Sequence, residues 1–280
     1  MAEARAFALC EYQPHPTMLD ELWATMRRDG IDAAELDSLM AQPITRAILR
    51  YASFAEALTH RLARKLADYD VPAPALAELI GDTFALSPGT LHAAAADLSA
   101  VRDRDPACPD LITPFLYFKG FQALQAFRIS HVLWQDGRQH LARHLQARIS
   151  EVFALDIHPA ARLGCGIMID HGTGVVIGET AVVEDNVSIL QGVTLGGTGK
   201  ACGDRHPKIR RGVLLGAGAS VLGNIEVAEG AKVGAGSIVL EDVAAYTTVV
   251  GVPARPIGAR LIGLPALTMD HRMPAPDYAI

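Results

Sequence analysis

The sequence predicts an α+β chain in which an N-terminal all-helical region is followed by a parallel β-helix. Three observations carry this expectation. Read in sixes from Ile157, the first residue of each block is Ile157, Leu163, Ile169, Val175, Ala181, Val187 and Val193, and after one interruption Ile209, Leu215, Val221, Val227, Val233, Val239 and Ala245, all of them aliphatic. A period of six matches neither the 3.6-residue stripe of a helix nor the two-residue alternation of an exposed strand, so it is an internal repeat. Glycine recurs between the aliphatics, as at Gly164, Gly166, Gly172, Gly174, Gly216, Gly218, Gly234 and Gly236, which suits tight corners better than a helix interior. Upstream, from Met18 to about Leu155, apolar residues instead fall at helical spacing.

In chain order, residues 1–16 are expected to be a flexible arm, closed by Pro14 and Pro16. Residues 17–155 form the helical domain. Its first segment, LDELWATMRRDG, has a glycine stop at Gly30, and ITRAILRYASFAEALTHRLARKLADYD reads as one long amphipathic stretch ended by Pro72 and Pro74. Further helical pieces run from Ala75 to Ile80, Pro88 to Ala100, Pro114 to Arg138 and His140 to Phe153, with VRDRDPACPD as a charged connection. Residues 156–256 are the β-helix, in which three six-residue sides make a coil of about 18 and neighbouring coils stack about 4.8 Å apart. Between Val193 and Ile209 the chain takes sixteen residues where six are due. The ten extra must leave the wall as a loop, 196–208, carrying Lys200, Asp204, Arg205, His206 and Lys208 beside an apolar column. The tail, 257–280, is proline-rich with little periodicity and is expected to be mobile.

Half of the 280 residues are hydrophobic and a fifth are charged, enough apolar material for a real core. The net charge of −6 argues against nonspecific nucleic-acid binding. No run of eighteen apolar residues suggests a membrane span, and no export signal stands at the start, so a soluble, cytoplasmic protein is expected. Cys10, Cys108, Cys165 and Cys202 form no close pair, which fits a reducing compartment.

The richest chemistry begins where helices give way to the repeat: Asp156 and His158, then Asp170 and His171. In an 18-residue coil Asp156 is in phase with Gly174, three positions from His171 and one coil away, so the carboxylate and the imidazole can meet. An aspartate accepting from one ring nitrogen leaves the other free to take a proton, the arrangement of a general base. His158 reads as a corner residue beside that pair. GAGA at 216–219 and GAGS at 234–237 are eighteen residues apart and stack, leaving backbone open to an extended ligand.

The segments DIHPAARLGCGIMIDHGTGVVIGETAVV, SILQGVTLGGTGKACGDRHPKIRRGV, GAGASVLGNIEV, AKVGAGSIVL and GVPARPIG, with AVRDRDPA and TPFLYFKGFQALQAFRISHVLW upstream, resemble the serine O-acetyltransferases, hexapeptide-repeat enzymes of cysteine biosynthesis. The resemblance implies a left-handed β-helix, trimeric packing and a dimer of trimers. It implies acetyl transfer from acetyl-CoA to the hydroxyl of L-serine, with His171 as base and Asp156 holding it, and no cofactor or metal. Serine would be gripped by Asp105 and Asp170 on its ammonium and by Arg205 and His206 on its carboxylate. Gly197, Thr198, Ala217 and Ala235 match positions used for CoA, and Lys232 is a candidate for a CoA phosphate. L-cysteine, which differs from serine by a thiol for the hydroxyl, would inhibit at the same site. The family ends in isoleucine and inserts that residue into O-acetylserine sulfhydrylase; this chain ends in Ile280 after an altered approach, and DHGTG replaces the family's DHATG.

Rival readings keep the architecture or part of it. Another acceptor, such as homoserine or a sugar, is one. A zinc enzyme is another, although His171 and His206 lack a close third histidine. A noncatalytic scaffold holding the sulfhydrylase is a third, and Cys202 as an acyl carrier is unnecessary if serine attacks directly.

Overall fold

The computed structural model describes residues 18–199 and 202–272. Helices fill the first half: α1 (Met18–Leu36), α2 (Ser38–Ile44), α3 (Phe54–Leu66), α4 (Ala73–Leu86), α5 (Pro88–Arg104), α6 (Ile112–Tyr117), α7 (Lys119–Gln135) and α8 (Gln139–Phe153). None among the described residues is long and apolar enough to cross a membrane. Gly30 does not stop α1, which runs through it. A Cβ there would meet Leu49 Cδ2 at 3.2 Å and the methyls of Ile44 and Ile48, so the missing side chain serves close packing. The long stretch expected from Ile44 to Asp70 is split by a π turn, Thr45–Leu49. Ser53 then opens α3 by accepting from Glu56 N at 3.2 Å, while Glu56 Oε2 accepts from Ala52 N at 2.9 Å. The S-x-x-E spacing is a start signal that outweighs the continuous apolar pattern.

The solenoid has three walls of stacked parallel strands. The first holds β1 (Leu155–Ile157), β4 (Val175–Ile177), β7 (Thr194–Gly196), β10 (Ser220–Leu222) and β13 (Ile238–Val239). The second holds β2 (Arg162–Leu163), β5 (Val182–Val183), β8 (Lys208–Ile209) and β11 (Glu226–Val227). The third holds β3 (Met168–Ile169), β6 (Ser188–Ile189), β9 (Leu214–Leu215), β12 (Lys232–Val233) and β14 (Thr248–Gly251), closed by antiparallel β15 (Ala254–Ile257).

The register corrects the phase of the repeat. Leu155 pairs with Val175 and Met168 with Ser188, a coil of 20 rather than 18. Val182 pairs with Lys208, a coil of 26, and only later does Leu214 pair with Lys232 at 18. The inward strand positions are therefore Ile157, Leu163, Ile169, then Ile177, Val183, Ile189 and Leu195, all buried. Of the ten surplus residues, two enter between Ile169 and Ile177 and eight between Leu195 and Ile209. Val175, Ala181, Val187 and Val193 are buried too, one corner earlier, which is why the slip of two is invisible in an aliphatic count. The last coil is short instead: Val227 bridges to Val243 and Val233 pairs with Val249, so Ala245 is not in the column.

The two halves meet through a buried ion pair. Asp97 on α5, with 0% of its surface exposed, receives Arg128 Nη2 at 2.7 Å and Gln125 Nε2 at 3.0 Å from α7, and also the backbone N–H of Ile167 at 2.9 Å. Arg128 also donates to Gly164 O at 2.6 Å, so one pair grips both sides of a solenoid corner. At the C-terminal end of α5, Arg104 donates to Ser188 Oγ and Asn186 Oδ1.

The tail is not wholly free. A short helix, α9 (Pro265–Thr268), lies on the third wall, where Ser188 Oγ donates to Ala266 O at 2.9 Å and Ala266 is buried. Ile280, like the arm 1–16, lies outside the described residues. Cys165 is disulfide-bonded, a bridge the spacing of the cysteines gave no hint of, because sequence distance says nothing about which segments fold together; Cys108 is a buried free thiol.

Candidate active site

The two-residue insertion lies at the corner between β3 and β4. Its backbone needs left-handed angles, and His171 adopts φ 56° between Asp170 and Gly172, whose own φ is 77°. A non-glycine residue there is strained unless the surroundings fix it. They do: Gly172 N donates to Asp170 O at 2.6 Å, Gly174 N donates to Ala154 O at 2.8 Å, and Lys119 Nζ donates to Thr173 Oγ1. Helix α7 starts against this corner, with Gly120 so close that a Cβ would collide with the carbonyl of Ile169. The outcome is a histidine standing off the wall, its side chain 72% exposed, with Nδ1 3.8 Å from Asp170 Oδ1.

Asp156 lies on the outer face of β1, exposed and opposite Val176. The 20-residue coil thus sets it two positions further along its wall than the expected partner Gly174. Its Oδ1 accepts from Gln146 Nε2 at 2.7 Å. Asp105 follows the last turn of α5 and accepts from Ala107 N at 2.8 Å. Its turn is brought to the same region because Val101 and Cys108 pack on Met168, two residues before Asp170.

The second cluster sits at the other end of β4. Arg205 Nη2 donates to Glu179 Oε2 at 2.6 Å, and that bond holds the Glu179 carboxyl below the usual range. Thr180 organises the rest. Its hydroxyl oxygen accepts from Arg205 N at 3.0 Å and His206 N at 3.1 Å, so its own proton goes to His206 Nδ1, 2.9 Å away. Nδ1 also accepts from Thr180 N at 3.1 Å. The remaining nitrogen, Nε2, must therefore carry hydrogen. Burial, then the neighbouring Arg205, pushes the His206 pKa down, so the ring is a neutral donor. Its Cδ2–Nε2 edge sits against Gly178, where a Cβ would collide with the imidazole. Lys208 Nζ donates to Thr180 O at 2.9 Å and Asp204 Oδ1 at 2.6 Å, tying the loop's end to the same corner. His158 is nearby but occupied: its Nδ1 accepts from Ala160 N at 3.1 Å, its ring edges onto Trp134, and burial lowers its pKa.

Further along the wall the two Gly-Ala-Gly corners do stack, Gly236 N donating to Ala217 O at 2.8 Å. At Gly216 a Cβ would come within 2.6 Å of Ala235 N, so the coils approach closely there. Ala217 and Ala235 are accessible, as are Gly197 and Thr198 at the loop's start. Lys232 departs from expectation. It is 4% exposed, and Nζ donates to the carbonyls of Asp270 at 2.6 Å and Arg272 at 2.5 Å, under the C-terminal segment. Its ammonium meets those carbonyls rather than open solvent, and burial lowers its pKa.

Residues 22–126 match the family profile described as serine acetyltransferase, N-terminal. The chain is 51% identical over 253 residues to the serine acetyltransferase of Salmonella typhimurium, covering 90% of this chain and 93% of that one. The chain belongs to the serine acetyltransferase family. The solved serine acetyltransferase of Vibrio cholerae superposes with a TM-score of 0.89 at 51% identity, covering 90% of this chain and 98% of the other. A serine acetyltransferase solved with cysteine superposes equally well, at 49% identity and with 90% of this chain covered. Membership makes the chain an acyltransferase of that family and the walls just described the place to seek its chemistry. Sequence reasoning passed over Gly178, Glu179, Thr180 and Gln146. The first three read as an ordinary corner, and Gln146 as a polar helix position; only the fold shows what they touch.

Proposed function

We propose that His171 is the general base that takes the proton from the serine hydroxyl, with Asp156 steadying the ring. The alkoxide oxygen attacks the thioester carbonyl of acetyl-CoA, the tetrahedral intermediate expels the CoA thiolate, and His171 returns its proton to that sulfur. Asp105 and Asp170 take the serine ammonium; Arg205 and the Nε2–H of His206 take the carboxylate. The pantetheine arm runs past Gly197, Thr198, Ala217 and Ala235. A CoA phosphate reaches Lys232 only if the segment around Asp270 and Arg272 moves aside.

The observation that carries this reading is the corner itself. At the corner between β3 and β4 the insertion lifts His171 out of the wall beside Asp170 at a left-handed φ of 56°. Relatives support the ligands: serine acetyltransferases have been solved with cysteine, with coenzyme A in Brucella abortus, and with serine in soybean. Cysteine fits the same clamp with a thiol where the hydroxyl belongs, so inhibition should be relieved by serine. Capture of a sulfhydrylase through Ile280 is a separate property, and deleting Ile280 should remove it without slowing turnover.

The decisive test is thiol release from acetyl-CoA with L-serine. His171→Ala is expected to lower kcat by about 10² to 10⁴, the usual worth of a positioned base, with both KM values little changed. Undiminished turnover would remove the base assignment and leave the family alone standing.

A further inference from the structure

We infer that Gln146 is a positioning residue for the acetyl transfer, acting through Asp156; the inference rests on the reading above in which Asp156 steadies His171. Asp156 projects from the outer face of β1 opposite Val176, an apolar cross-strand neighbour that offers it no hydrogen bond. The one side-chain hydrogen bond it receives among the described residues comes from Gln146 Nε2, at 2.7 Å to Oδ1.

The donor is well anchored. Gln146 sits on α8 next to Leu145, in a helix whose Ala142, Leu145, Ile149 and Phe153 are buried, and α8 hands the chain to β1 through Ala154. The helix and the strand that carry the two partners are therefore one continuous rigid turn of chain. An amide donor fixes one carboxylate oxygen without adding charge and leaves Oδ2 open to an imidazole. A lysine or arginine at this place would instead compete with the imidazolium for the same carboxylate.

The test is a double-mutant cycle on the full chain with L-serine and acetyl-CoA, using Gln146→Leu, Asp156→Asn and both together, with thermal midpoints recorded for each. Gln146→Leu is expected to lower kcat about tenfold, the scale of one hydrogen bond to a charged group, while both KM values stay within about twofold. In the Asp156→Asn background the same change should cost nothing further, because the group it positions is gone. Two outcomes overturn the assignment: Gln146→Leu turning over like the wild type while Asp156→Asn is slow, or Gln146→Leu multiplying the loss in the Asp156→Asn background as a general structural defect would. Full activity in Asp156→Asn is a different failure, since it removes the dyad itself and the role of Gln146 with it.

Discussion

The hydroxyl of Thr180 accepts from two loop N–H groups and donates to His206 Nδ1, so one oxygen sets both the position of the Arg205–His206 pair and the tautomer of the histidine. Thr180→Val keeps the shape and removes all three bonds. We expect the KM for L-serine to rise about tenfold or more, at roughly 1 kcal/mol per hydrogen bond lost, with the KM for acetyl-CoA unchanged; steady-state kinetics with each substrate varied will show the split. Cysteine inhibition should weaken in parallel, because the same clamp holds both amino acids. At this scale the sequence was legible where residue type and chemistry coincide: His171, Asp170 and Arg205 stand out as charged or titratable groups in glycine-rich surroundings. Thr180 and Gly178 did not, since a threonine or glycine at a corner is ordinary. Their importance comes from a ring that arrives from twenty-six residues away.

The helices and the repeat were both readable as elements, but their joints were not. An apolar residue on either side of a corner is buried, so sliding the hexad by two leaves every block headed by an aliphatic, and only strand register places the insertion at His171. The buried pair Asp97–Arg128 was likewise hidden, because a charged residue on a helix normally reads as surface. Here the carboxylate is sunk between α5, α7 and the corner at Ile167, and burial drives its pKa up against the pull of Arg128. Removing the cation alone strands the carboxylate. Arg128→Met is expected to destabilise the chain by about 3–5 kcal/mol, whereas Asp97→Leu with Arg128→Met should recover much of that loss. Urea unfolding followed by circular dichroism will separate the two, and a double variant as weak as the single one would mean that the hydrogen bonds to Ile167 N and Gly164 O, rather than the charge, hold the joint.

For the molecule as a whole, His131, His158 and His206 share one direction of shift: burial, the largest cause at each, favours the neutral ring and lowers the pKa from 6.5. Below 6.5 the unfolded chain binds protons that the folded chain refuses, so this contribution to stability is complete above that pH and fades as pH falls toward the depressed folded values. Urea midpoints should therefore drop between pH 7 and 5.5, and His131→Phe should flatten the drop. A larger consequence concerns the site. His171 precedes β4 and the Glu179–Arg205 cluster follows it, so within one chain the base and the carboxylate clamp stand at opposite ends of a wall three strand residues long, about 10 Å at 3.3 Å per residue. Side-chain reach decides whether one serine touches both within a single chain. If copies close into the trimer that the family resemblance implies, the clamp of one copy can instead face the base of the next. Co-refolding equal amounts of His171→Ala and Arg205→Ala chains tests this directly. Each variant alone should be nearly inactive. If the site spans two copies, a junction is intact when a chain with a good base meets a chain with a good clamp, which random mixing supplies at half times half, about a quarter of the junctions. Activity near a quarter of wild type is therefore expected, whereas a mixture no more active than its parts would place the whole site within a single chain.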